Sequence, residues 1–257
     1  MVTARISVLS LALLVPLAGC GAGGTASGEA SKTPAQILAD TQLALGSVRS
    51  FHMTGTQTDK DGPSTLTADV SLPGKVHLTI QQGTTDLEII VVGTDGYFKA
   101  NRAFWDKNGG GAATALFADR WVKVPAASTP GFAEFSAISD SATIGHCFLG
   151  SRHGAITNAG TSTVAGTPVI VLADDGKAPG ASPGEVYIAS TGQPLPLRST
   201  QTGPQRAGGV PDAACHETDV SSTTTVGDIH YGAYNQPVSI VAPQGAITLP
   251  GAKGPSA

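Results

Sequence analysis

The stretch LTADVSLPGKVHLTI, Leu66 to Ile80, alternates apolar and polar residues on both sides of a Pro-Gly break. Leu66, Ala68, Val70 and Leu72 are set against Thr67, Asp69 and Ser71, and Val76, Leu78 and Ile80 against Lys75, His77 and Thr79. Successive side chains of a strand point to opposite faces, so a period of two predicts two half-buried strands joined at Pro73-Gly74. Working outward, Leu87 to Val92 and Gly96 to Ala100 read as further strands separated by Thr94-Asp95-Gly96, which predicts an antiparallel meander. Asp59, Asp61 and Gly62 resemble a calcium loop only faintly; the glutamate such a loop needs is absent, and Asp-Gly suits a hairpin tip.

Before the meander, Thr33-Pro34-Ala35-Gln36 has the pieces of a helix start: a capping threonine, proline at the first helical position and a glutamine that completes a capping box. A helix from Pro34 to about Leu45 is expected, with Ile37, Leu38, Ala44, Leu45 and Val48 as its apolar face and Gly46 as its end. After the meander, helical apolar groups occupy Ala103 to Trp105, Ala112 to Phe117 and Phe132 to Phe148, with a strand at Trp121 to Val124. Strands return at Thr163–Val164, Val169–Leu172, Glu185–Ala189, Leu195–Thr200 and Thr223–Tyr231, and at Val238–Val241. A leading helix, strands, a helical insertion and more strands describe an α+β fold with one curved antiparallel sheet, whose apolar face helices must cover.

The N-terminus belongs to a different regime. Arg5 precedes the apolar run Ile6 to Val15, which is too short to span a bilayer, and the run is followed by Pro16 and Leu17-Ala18-Gly19-Cys20. This is a signal-peptide layout ending in a lipobox, so residues 1–20 are expected to be a lipoprotein leader with diacylglycerol on the Cys20 thiol. Lasting attachment takes more than one acyl chain, which such a cysteine receives. The Gly-, Ala- and Ser-rich residues 21–32 read as a flexible tether, and 33–250 as a single domain on the extracytoplasmic face of the membrane. Gly19, Gly21 and Gly24 match a dinucleotide fingerprint literally, but no strand precedes them and the cleavage site falls within them.

Charged residues make up 13% of the 257, the formal net charge is −4, and no basic cluster offers a footprint for nucleic acid. With Cys20 lipidated, Cys147 and Cys215 are left, and a pair in an exported chain reads as one disulfide closing a long loop. His146, Cys147 and His153, with Cys215, His216 and Glu217, are the one local concentration of metal-type ligands, but a zinc site there would need free thiolates, and no metal or other cofactor is expected. G-x-S-x-G, S-x-x-K and H-E-x-x-H are all absent, so no enzymatic chemistry is indicated.

Four stretches together resemble the actinobacterial lipoproteins of the mycobacterial LppX/LprG family: the lipobox, TPAQILADTQLALGSVRSFHMTG from Thr33, GYFKANRAFW from Gly96 with DRWVKVP from Asp119, and YGAYNQPVSIVAP from Tyr231. The resemblance implies a LolA-like half-barrel with helices on its concave face and a pocket for a lipid or glycolipid. Phe104, Trp105, Leu116, Phe117, Phe132 and Phe135 are the candidates to line such a pocket, or else to pack a core. Two functions follow: a carrier with a cavity of several hundred cubic ångströms, or an envelope interaction lipoprotein with a filled core and a protein partner of unstated identity.

Overall fold

The structure is a computed structural model that describes residues 28–126, 132, 137–149, 152–215 and 224–248. Cys20, Phe135, His216 and Glu217 therefore lie outside the described residues. Six strands run as an antiparallel meander: β1 Ser50–Asp59, β2 Gly62–Ser71, β3 Lys75–Gln82, β4 Thr85–Val92, β5 Asp95–Ala100 and β6 Val122–Pro125. Five more form a second meander: β7 Ile156–Val164, β8 Thr167–Asp174, β9 Gly184–Ala189, β10 Pro196–Gln201 and β11 Val226–Gly232. Pairing of β11 with β1 fuses the two into one open sheet, and the two-residue β12, Ile247–Thr248, adds a parallel partner to β6.

The alternation in the sequence is read out directly by register. The row Tyr231–Met53–Ala68–Leu78–Ile89–Phe98–Val122 crosses seven strands on the concave face. One residue along, His52–Asp69–His77–Ile90–Tyr97–Lys123 crosses the convex face. There polar side chains pair across strands, as with His52 and Asp69 at 2.7 Å and His77 and Glu88 at 2.9 Å. A slip of one residue would exchange the two rows, so burial of the apolar row fixes the register. The β1–β2 tip is a turn in which the Asp61 amide donates to Asp59 Oδ1 at 2.8 Å.

Helix α1, Pro34–Gly46, has the capping box that its sequence predicts: the Gln36 amide donates to Thr33 Oγ1 and the Thr33 amide to Gln36 Oε1. Its buried stripe is Ile37, Thr41 and Leu45, with the Thr41 hydroxyl donating to the Ile37 carbonyl at 2.8 Å, a back-bond that satisfies a polar group inside the core. Ile37 and Leu38 pack on Ile170, Leu172 and Ile188 of the second meander, whereas Ala44, Leu45 and Val48 join the core of the first. The helix therefore straddles both halves of the concave face. Just ahead of the helix Glu29 is buried, and Lys32 bridges it to Asp40.

Helices α2, Arg102–Asn108, and α3, Gly110–Phe117, sit at the β4–β6 end, and α4, Ile144–Phe148, lies across α1. Gly145 makes that crossing possible, since a Cβ there would strike the Gln42 carbonyl oxygen. The segment from Val238 to Val241, expected as a strand, is extended but unpaired: Val238, Ile240 and Ala242 cover Ile90, Tyr97 and Trp121 on the convex face. Among the described residues no helix is long and apolar enough to cross a membrane.

Candidate functional site

The two halves of the concave face are not equally filled. On the first meander Leu78, Ile89 and Phe98 share one core with Leu45 of α1 and Ile144 of α4. On the second a neighbouring row of the same face is Ser199–Val186–Leu172. A cavity of about 280 Å³ lies beneath the helices there.

Its apolar wall is Leu38 of α1, Phe148 and Leu149 at the end of α4, Ile156, Leu172 and Val186. Phe148 is held edge-on to Phe51 with ring centroids 5.2 Å apart, and its ring lies 4.8 Å from that of Tyr231, whose hydroxyl shares a 2.7 Å hydrogen bond with Ser199. Burial disfavours the phenolate and pushes the Tyr231 pKa up to about 12, against the opposing effect of Ser199. Tyr234, donating to the Pro196 carbonyl, is raised well above the usual range, by burial first and then by its proximity to Tyr231.

The other end of the cavity is polar. Arg152, His153, Asp174, Ser182 and Gln205 line it. Asp174 accepts from the amides of Gly154 and Gly176 at 2.9 and 2.8 Å and lies 3.2 Å from His153 Nδ1. Arg152 donates to the Val210 carbonyl at 3.0 Å. The long β10–β11 connection is knitted to the β8–β9 loop there: Gly180 N donates to Arg206 O, Arg206 N to Ala181 O and Gln205 Nε2 to Gly180 O, each at 2.8 Å.

The expected disulfide is present: Cys147 of α4 is bonded to Cys215, with the Cα atoms 5.4 Å apart. It pins the β10–β11 connection to the helix that roofs the cavity, and the hydrogen bond between His146 Nε2 and Asp212 at 2.7 Å lies beside it. His146, Asp212 and Cys215 bring possible metal ligands within 4.8 Å of one another, but the Cys215 sulfur is spent on the disulfide and the other two groups on each other. His153 is not part of that group; it lies in the cavity. An apolar wall with polar groups gathered at one end can hold an amphiphile by exclusion of water and hydrogen bonding, without covalent chemistry.

Five of the six aromatic and aliphatic candidates, all but Phe135, which lies outside the described residues, sit at the opposite end of the sheet. Trp105 packs on Phe98, Phe104 and Phe117 with centroid separations of 5.7, 5.5 and 5.3 Å, and Phe132 lies 6.2 Å from Phe98. Leu116 is 56% exposed. None of these five borders the 280 Å³ cavity. The residues that do border it come from α1, α4, strands β7 to β11 and the loops between them, and in the sequence none of them stands out for a pocket except as strand or helix content.

No protein-family model matches the chain, and no curated protein sequence does. Solved structures of similar shape exist. LprF from Mycobacterium bovis aligns with a TM-score of 0.52 at 18% identity, covering 86% of this chain and 99% of that one. The lipoprotein LppX from Mycobacterium tuberculosis gives 0.46 at 14%, covering 80% and 99%, and a LolA superfamily protein from Nitrosomonas europaea 0.29 at 7%, covering 81% and 95%. The open antiparallel sheet with helices on its concave face is thus the fold of the mycobacterial lipoprotein LprF, the architecture that the resemblance in the sequence implied.

Proposed function

We propose that this protein is a lipid-anchored lipoprotein on the extracytoplasmic face of the cell membrane that holds a hydrophobic ligand between α1, α4 and the second meander. The observation that carries the reading is the cavity, apolar along Leu38, Phe148, Leu172 and Val186 and polar at Arg152 and Asp174. Its volume of about 280 Å³ lies near the lower end of the roughly 300–1,000 Å³ of ligand clefts, which suits one amphiphile of modest size rather than a multi-chain glycolipid. The anchor is the diacylglyceryl thioether on Cys20 after removal of the leader, and the Cys147–Cys215 disulfide fits an oxidising compartment. The ligand is carried, with no bond made or broken.

A second reading, an interaction lipoprotein, has support in the filled core over the first meander and in Leu43 of α1, which is 76% exposed. One experiment separates the two. Native mass spectrometry with organic extraction, on protein exported by an actinobacterial host, should find one lipid per chain. An apo mass that is unchanged after incubation with envelope lipids would overturn the carrier reading in favour of the second.

A further inference from the structure

Strand β7 ends the sheet, and its residues 157–163 are all exposed. A free edge presents unpaired amides and carbonyls to any other strand, and proteins ordinarily blunt such edges with charge, proline or a bulge. Here no charged residue occurs between His153 and Asp174, and β7 contains no proline. A bulge between Asn158 and Gly160 interrupts the strand, leaving Gly160 to Val164 regular.

The hairpin turn shows which groups face outward. Ala165 and Gly166, both at positive φ (47° and 83°), form the two-residue loop of a type I′ turn, so Val164 and Thr167 exchange their hydrogen bonds inward. The next pair, Thr163 and Pro168, then does not, which agrees with the absence of an amide hydrogen on Pro168 and with its carbonyl accepting from Ser190 on the far side. Thr163, and by alternation Thr161, therefore direct their own N–H and C=O groups to the open side.

We infer that β7 pairs antiparallel with β7 of a second copy about a two-fold axis at Ser162, joining two sheets into one. Thr161 of each chain then faces Thr163 of the other, and the outward groups bond reciprocally. Three features favour a second copy over a foreign peptide. Residues 157–163 are exposed on both faces of β7, so recognition along this stretch falls to the backbone. An uncharged edge meets itself without repulsion. The sheet's other end is the two-residue β12, so among the described residues β7 is the one long edge, and pairing of like with like closes as a dimer rather than growing into a fibre.

The test is cysteine cross-linking in the exported full-length chain. Ser162→Cys places two thiols directly opposite across the axis, in a pair whose Cα separation of about 4.5 Å lies within disulfide range. A reducible species of twice the monomer mass is expected, whereas Thr157→Cys, well off the axis, should stay monomeric. Adding Thr163→Pro removes an outward amide without touching the β8 ladder, and should abolish the dimer at an unchanged melting temperature. If that variant fails to fold, Thr161→Lys with Thr163→Lys sets like charges opposite each other and serves instead. A monomer alone, a cross-linked species of another mass, or a dimer that survives the edge variants would overturn the inference.

Discussion

Replacing Cys147 and Cys215 together by alanine tests how the hollow half of the molecule is held. The bond joins residues 68 apart, and the loop it closes contains β7 to β10, most of the second meander. In the chain-entropy relation a loop of that length restricts the unfolded ensemble by about 4 kcal/mol at 25 °C, a large share of the roughly 5–15 kcal/mol that stabilises a typical domain. The assay is equilibrium urea denaturation of the oxidised protein and the double variant, followed by far-ultraviolet circular dichroism and by tryptophan fluorescence. The two probes differ usefully: Trp105 packs on Phe98 of β5 and Trp121 on the β4–β5 side of the sheet, so fluorescence reports the first half while dichroism reports both. We expect a loss of about 4 kcal/mol, with the dichroism transition moving below the fluorescence transition as the second meander opens first. A loss below about 1 kcal/mol, with the two transitions coincident, would refute the view that the disulfide staples the second meander to α4.

Further outcomes follow from the same geometry. Val186→Trp fills the cavity from its floor, and native mass spectrometry should show the bound lipid lost while the dichroism spectrum is kept. Gly145→Val drives a side chain into the Gln42 carbonyl and should cost about 1–3 kcal/mol in urea denaturation by separating α4 from α1, whereas Gly111→Ala, with open space around it, should change little. The raised pKa values of Tyr231 and Tyr234 mean that the native state keeps protons the unfolded chain releases near pH 10; stability is therefore fully present below pH 10 and falls as pH rises toward 12, which denaturation at stepped alkaline pH would record. Cys20→Ala should release the protein from the membrane into the medium, as immunoblotting of fractions would show.

Where one face of a strand is buried and the other wet, the sequence is legible because burial and period carry the same information. Leu66 to Ile80 predicts β2, β3 and the turn between them, and Thr33 to Gln36 predicts the capped start of α1, since each depends on contacts within a few residues. Strand β7 is read only at Thr163 and Val164 because its exposed, polar residues have no buried face to impose a period; pairing with β8 makes it a strand. Val238 to Val241 errs the other way. Its apolar residues are buried by packing on Ile90 and Tyr97 across the convex face rather than by joining the ladder, so an apolar run reads as a strand without being one.

The cavity follows a different logic, which explains why the aromatic residues of the chain do not mark it. Phe104, Trp105, Phe117 and Phe132 find one another and Phe98, and large side chains that meet over a sheet fill the space between sheet and helix. A hollow needs the reverse: a stretch of concave face over which the side chains of sheet and helices leave space between them. Ser199, Val186 and Leu172 lie along that stretch, and α1 spans it because Ile37 is anchored on Ile170 and Ile188 while Leu45 is anchored in the core of the first meander. Each of these residues reads as ordinary strand or helix content in its own segment. The void is a property of their registration across β8, β9 and β10, and registration over such distances is set by the folded sheet.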